Sequence, residues 1–396
     1  MKALQNIKIL DLTHMLSGPY STQLLADLGA ETIKIEPPGK GEATRKLLST
    51  DPEHSVEGMG AYFLTLGRNK KSVSLNLKSE AGLKVFYGLV EKADVVVYNF
   101  RAGVAERLGL GYGRLREINP QIVSCSITGF GEVGPHKNHT SFDLVAQATG
   151  GGMTITGHGD KPLRSGIPIG DLGGGLMATI GILSALQSRV ATGVGQHVDI
   201  SMQDAQISML NYMATMFSLS GKQPPAIGNE HFVHVPYGSF PTSDGFIIVT
   251  IITDALWDRL MSLLSLPELD MPENKEHQGR LKNKKEIDRV LGKHLAAKPK
   301  SHWISILAEG GVPCAPVNDF ADALSDPHVI ARNMVVGVEH GSGRVVKQPG
   351  NPIKLSEHED SFSPPPEVGQ HTDEVLASWI DLSEDERAQL RDEGVI

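Results

Sequence analysis

Short apolar runs alternate with helix-spaced stretches through the first half of the chain, and this alternation restricts the fold more than any other feature. Residues 7–12 read as a strand, 20–28 as a helix and 32–35 as a second strand, with a breaker-rich turn at 13–19. The pattern repeats: a basic turn enters a strand at 72–77, a helix covers 80–92, and a buried strand at 94–98 ends in the loop 99–103. Helix and strand alternate again over 115–126. Such units build a parallel sheet with helices on both faces. Ligands of these sheets bind beyond the carboxyl ends of the strands, so the loops at His14, Asn99 and Thr128 mark the expected crevice. The turn at 13–19 has no G-x-G-x-x-G fingerprint, and a dinucleotide does not follow from the pattern.

The expected fold class is therefore α/β, a doubly wound, mostly parallel, Rossmann-like large domain with a smaller α+β domain. Residues 1–220 form the first part of the large domain, with a further strand at 195–201 and a helix at 202–219. Residues 221–236 are rich in breakers and read as a linker, and 237–317 as the small domain. Residues 318–396 return to the large domain and form the C-terminal tail, in which the proline-bearing run 363–367 is extended. A charged helix closes the chain, with Ser383 and Glu386 spaced as a capping box.

A formal net charge of −9 argues against nucleic acid as a partner while allowing a local basic pocket. The two cysteines, Cys125 and Cys314, lie in apolar surroundings and read as thiols in a reducing compartment. The first residues lack a signal-peptide core, and apolar runs of spanning length are interrupted by glycines and polar residues. The expectation is a cytoplasmic protein with no membrane partner. No C-x-x-C or H-E-x-x-H spacing suggests a metal, and no G-x-S-x-G elbow is present.

Residues 167–186 hold the most pointed chemistry. Asp171 sits where an apolar segment turns into a nearly uncharged helix, a position that suits an ionised carboxylate capping the helix start. Three glycines follow, Gly173, Gly174 and Gly175, although glycine is a poor helix former. Two readings stand: the glycines admit a neighbouring helix, or they let a ligand and its oxyanion approach. Other polar residues to weigh are His14, Lys34, Arg45, Lys71, Lys78, Arg107, Lys137 and Asp143.

Several runs together resemble the class III CoA-transferase family, the CaiB/BaiF group. They are Leu10-Asp11-Leu12-Thr13-His14-Met15-Leu16-Ser17-Gly18-Pro19, Leu28-Gly29-Ala30-Glu31-Thr32-Ile33-Lys34, Asn69-Lys70-Lys71-Ser72 and Asn99-Phe100-Arg101-Ala102-Gly103. Val145-Ala146-Gln147, Gly170-Asp171, Gly311-Val312-Pro313-Cys314-Ala315-Pro316 and Gly369-Gln370-His371-Thr372 continue the match in order. The resemblance implies that Asp171 is a nucleophile carrying an acyl group and then coenzyme A. It implies coenzyme A contacts at His14, Met15, Ser17, Leu75, Lys78, Asn99, Phe100 and Arg107. It also implies acyl-CoA and a small carboxylic acid as substrates, no tightly bound cofactor, and an interlaced homodimer.

α-Methylacyl-CoA racemases share this fold and use a His where this chain has Phe142, so transfer is favoured over proton transfer, with His136 and His139 nearby. A non-catalytic coenzyme A-binding protein is a further alternative. Formyl-CoA transferases acting on oxalate carry Gln where this chain has Leu16 and a glycine-rich loop not found between Gly221 and Gly245, so the resemblance points away from oxalate and to small dicarboxylates such as succinate, glutarate, mesaconate or itaconate. Arg45, His231 or His234 would neutralise a second carboxylate, and Asp143 either assists Asp171 or holds its loop.

Overall fold

The computed structural model describes residues 2–396, and the chain divides into two compact units. The first comprises residues 1–153, 164–221 and 328–396, and the second 154–163 and 222–327.

In the first unit, β1 (Lys8–Asp11), α1 (Ser17–Asp27) and β2 (Glu31–Glu36) form the opening strand–helix–strand element. β3 (Lys70–Ser74), α2 (Glu80–Lys92), β4 (Val95–Tyr98) and β5 (Val123–Thr128) follow, then α3 (Asp143–Thr149), α4 (Ile169–Thr192) and β6 (His197–Ser201). The six strands lie side by side in the order β3-β2-β1-β4-β5-β6, every pair parallel. Strand order therefore reverses between β1 and β4, the switch point at which doubly wound sheets open a crevice.

Both faces of this sheet are covered, so its central strand β4 is apolar throughout, while β2, β3 and β5 also bury polar residues such as Lys34, Lys70 and Ser124. Along β4, Val96 and Tyr98 join the core with Phe86 and Leu89 of α2, while Val95 and Val97 pack with Ala178 and Ile182 of α4. α4 spans 24 residues and is long and apolar enough to cross a membrane by length and composition, yet half of its apolar window is buried within the protein. One face packs against α1 and β5.

The helix expected over 202–219 is interrupted. α5 (Met202–Leu210) and α6 (Tyr212–Ser220) meet at Asn211, whose φ of 49° and ψ of −126° break the helical path.

In the second unit, β7 (Tyr237–Thr242), β8 (Gly245–Thr250) and β9 (Cys314–Pro316) make an antiparallel sheet, with β8 central. It packs with α7 (Asp254–Leu264), α8 (Lys284–Leu295) and α9 (Lys300–Glu309) around Trp257, Leu260, Ile287 and Leu291. This unit is α+β. It takes in 154–163 and 222–327, against the 237–317 expected from the sequence, and residues 222–236 belong to it and do not stand outside as a linker. The difference arises because 154–163 is tied to 226–228: Gly159 N donates to Ala226 O at 3.3 Å and Gly228 N to Gly157 O at 2.6 Å.

The returning segment holds a hairpin, β10 (Val335–Glu339) with β11 (Val345–Pro349), and two helices, α10 (Thr372–Ile380) and α11 (Glu384–Asp392). At α11 the Ser383 side chain accepts from Glu386 N and the Glu386 carboxylate reaches back to Ser383 N, completing the capping box read from the sequence.

Candidate active site

The turn after β1 is fixed from below by buried charges. Asp11 Oδ1 accepts from Thr13 N (2.9 Å) and Thr13 Oγ1 (2.5 Å), while Lys34 Nζ donates to Thr13 O at 2.7 Å. Lys70 Nζ donates to the other oxygen of Asp11 at 3.0 Å. Burial alone would raise the Asp11 carboxyl, but Lys34, Lys70 and Thr13 overcome it and hold the group well below the usual range. From the side, Asn99 clamps the same turn: its Oδ1 accepts from His14 N at 2.8 Å and its Nδ2 donates to His14 O at 2.7 Å. These restraints keep Met15 at φ +65°, an uncommon region for a residue with a Cβ.

The turns after β1 and β4 therefore face one another, and a cavity of about 440 Å³ opens between them at the switch point. His14, Met15, Leu16 and Ser17 line one side, and Asn99 and Phe100 another. Phe142, Asp143 and Asp171 complete the wall. Sequence reading placed all nine at the site, and the fold brings them together from four separate stretches. The Phe100 ring stacks on Tyr98 at 6.0 Å and lies 5.9 Å from His14, which fixes an apolar platform at the opening.

Asp171 lies in the first turn of α4, not at its cap. The N-cap position is Pro168, which has no side chain to offer, and Asp143 supplies the missing acceptor from α3. Its Oδ1 accepts from Gly170 N at 2.8 Å and Asp171 N at 3.3 Å, and its Oδ2 accepts from Gln147 Nε2 at 2.8 Å. Two consequences follow. The helix-start N–H groups are already taken, and the Asp171 carboxylate is left free to point into the cavity. Burial, reinforced by the negative charge of Asp143, pushes the Asp171 carboxyl up to about 6. It is still ionised at neutral pH, and more basic than an ordinary aspartate.

The glycine patch proves to be a packing device. A Cβ on Gly175 would lie 2.5 Å from Ser17 O of α1, one on Gly174 3.0 Å from Met202 Cγ, and one on Gly173 2.7 Å from Met209 Cε. All three glycines are buried inside α4, so they admit neighbouring helices and not a ligand or its oxyanion.

Several other expected contacts lie elsewhere. Arg45 is engaged twice over with Glu36, Nε to Oε2 at 2.7 Å and Nη2 to Oε1 at 2.6 Å, and its Nη1 donates to Pro366 O. It is buried against the Phe63 ring, its charge is matched by Glu36, and it does not line the cavity, so it is not available to a substrate there. Leu75 is 1% exposed within the sheet core, so its side chain is not available to a ligand. Lys78 and Arg107 are exposed and do not line the cavity. Lys71 pairs with Glu31 and Glu374. His231 and His234 belong to the second unit, where their rings lie 4.6 Å apart beside Tyr237. Sequence reading passed over Arg101 and Arg164, which line the cavity with Lys137 and His139. Arg101 sat in a loop already singled out, whereas nothing in the irregular segment around Arg164 marks it.

The site is thus a carboxylate made more basic by burial, at the switch point of a Rossmann-like sheet beneath a clamped turn. The model of CoA-transferase family III matches residues 4–372. The chain belongs to that family. An acetyl-CoA:oxalate CoA-transferase of Acetobacter aceti is 39% identical over 360 residues, 90% of each chain. A succinyl-CoA:glutarate CoA-transferase of Homo sapiens is 35% identical over 400 residues, covering 100% of this chain and 90% of that one. Among solved structures, a CaiB/BaiF family protein of Brucella suis superposes with a TM-score of 0.85 at 34% identity, over 96% of this chain and 99% of that one. This family III member is accordingly an enzyme of the transferase class, and coenzyme A thioesters are its substrates.

Proposed function

We propose that the enzyme moves coenzyme A from a donor acyl-CoA to a small dicarboxylic acid, with Asp171 as the covalent carrier. The observation that carries this reading is the placing of Asp171: raised to about 6 by burial and Asp143, and facing a cavity lined by the turns after β1 and β4. Relatives that use oxalate and glutarate support the acid class. So does one named succinyl-CoA:mesaconate CoA-transferase, 38% identical over 365 residues.

In this reading an Asp171 oxygen attacks the thioester carbonyl, the C–S bond breaks, and the thiolate leaves with the electron pair. The thiolate then attacks the Asp171 carbonyl of the mixed anhydride, releasing the donor acid and leaving an aspartyl-CoA thioester. An acceptor carboxylate attacks that thioester, and the thiolate returns to the acyl carbon of the new anhydride. Product acyl-CoA departs and the free carboxylate of Asp171 is regenerated. Each step exchanges one activated acyl group for another, with no net proton or redox change. The apolar Met15, Leu16, Phe142 and Met202 around the cavity limit water, which would hydrolyse the intermediates. His14, Met15, Ser17, Asn99 and Phe100 are assigned to the coenzyme, and the exposed Lys78 and Arg107 to its phosphate end. The free thiols Cys125 and Cys314 suit a reducing cytoplasm, and a homodimer is the proposed assembly.

Incubation with succinyl-CoA followed by borohydride or hydroxylamine trapping tests the covalent step. A modified Asp171 peptide is expected, and its absence while transfer proceeds would falsify the carrier role. His139 in the same cavity supports a second reading, proton exchange next to the thioester. Deuterium uptake into a 2-methylacyl-CoA without coenzyme A transfer is the result that would favour it.

A further inference from the structure

Three full cations line the cavity of Asp171, and none has a partner there. Arg101, Lys137 and Arg164 are exposed to solvent and make no side-chain ion pair or hydrogen bond among the described residues, so their charges are open to a ligand that enters the cavity. The acidic residues lining the cavity are Asp143, spent on the helix start, and Asp171. Such a site is short of anions, and its substrates must supply them.

The three cations are not equivalent. Arg101 continues the Asn99–Phe100 loop assigned to the coenzyme, and Lys137 lies in the segment that follows β5. Arg164 stands on the stretch of chain that leads into α4 itself. That stretch is pinned at both ends to one residue pair. Ser165 N donates to Gln147 Oε1 at 2.9 Å, Gln147 Nε2 donates to Asp143 Oδ2, and Asp143 Oδ1 holds Gly170 N and Asp171 N. The backbone beside Arg164 is therefore held in register with the carboxylate, while its guanidinium stays free. A planar fork with two parallel donors matches a carboxylate better than a point charge does. The same cavity is also lined by Leu16, Pro168 and Met202, apolar surface that suits a hydrocarbon spacer.

We infer that Arg164 binds the distal carboxylate of the dicarboxylate acid, and of its acyl-CoA, so that the near carboxylate meets the Asp171 thioester. Arg164 is thus a specificity-determining residue, and the assignment rests on the transferase reading above. It explains a role that Arg45, locked to Glu36, is unable to fill.

The test compares acids matched in length, glutarate against valerate and succinate against butyrate, as acceptors with acetyl-CoA as donor. In Arg164→Ala the ratio of kcat/KM for dicarboxylate over monocarboxylate is expected to fall at least tenfold, with the change in KM for the acid. Arg164→Lys, which keeps the charge and loses the fork, is expected to recover part of the ratio. A purely structural role would lower both acids alike. An unchanged ratio in an active Arg164→Ala enzyme, or equal loss on both acids, overturns the inference and leaves the transferase reading intact. A wild-type enzyme that forms no Asp171 adduct and transfers to no acid removes both.

Discussion

Asp143 and Asp171 divide between them two tasks that one aspartate often performs alone. Because Asp143 caps α4, the carboxylate of Asp171 is not spent on the helix start, and burial together with the neighbouring negative charge makes it more basic, as the proposed carrier role requires. The acid limb of the kcat/KM profile for acyl-CoA is expected near pH 6, the value to which Asp171 is raised. Asp143→Asn keeps an acceptor for Gly170 N and removes the charge, so that limb is expected to move to lower pH. A limb that stays in place, measured with one donor across pH 4–8, would show that Asp143 does not tune the carrier. Stability changes in the opposite sense. A carboxyl raised from 3.8 to about 6 disfavours the folded state once pH rises through that window, and imposes nothing below it. Asp171→Asn is therefore expected to abolish transfer yet unfold later than the native protein at pH 8, by roughly 1–2 kcal/mol after allowing for partial solvent exposure. Chemical denaturation at pH 8 and pH 4 checks it, since most of the gain should be lost at the lower pH.

At the level of elements, the strand–helix alternation was legible because short apolar strands and amphipathic helices have different periods. The parallel sheet, its crevice loops and the α11 capping box all followed from local pattern. Less legible were features decided by contacts distant in sequence. The β10–β11 hairpin and α10 lie in the returning segment on either side of the extended proline run 363–367, where the sequence reading assigned no element. Gly173 to Gly175 carried a true signal of close approach, but sequence does not say what approaches. The answer, α1 and α5, sets a test. Gly175→Ala puts a Cβ within 2.5 Å of a backbone oxygen of α1, which cannot yield as a side chain can. It is expected to cost about 1–3 kcal/mol by overpacking. Gly113→Ala is the control, since Gly113 is exposed in the helix Tyr112–Ile118 with nothing within 4 Å, and the change there is expected to stabilise by roughly 0.5–1 kcal/mol. Equal thermal shifts in the two variants would mean that the α1–α4 contact tolerates separation.

At the scale of the whole molecule, α4, α5 and α6 present an apolar surface that a single chain does not cover. α6 has the sequence Tyr-Met-Ala-Thr-Met-Phe-Ser-Leu-Ser, yet buries none of its residues, and Tyr212, Met216, Phe217 and Leu219 are all exposed. The outer side of α4 adds Leu176, Ile180 and Val190, and α5 adds Ile207 and Met209. Scattered apolar residues on a surface need no explanation, but a run of them on three successive helices marks a contact surface. A second copy of the chain is the occupant expected from the family resemblance, and a two-chain particle is predicted in sedimentation at micromolar concentration. Replacing Met216 and Phe217 together with Glu places two charges in that surface, where each would have to lose its hydration on association. The double variant is expected to sediment as a single chain. A native protein that is monomeric at those concentrations, or a charged variant that still pairs, would mean that these helices meet something other than their own copy.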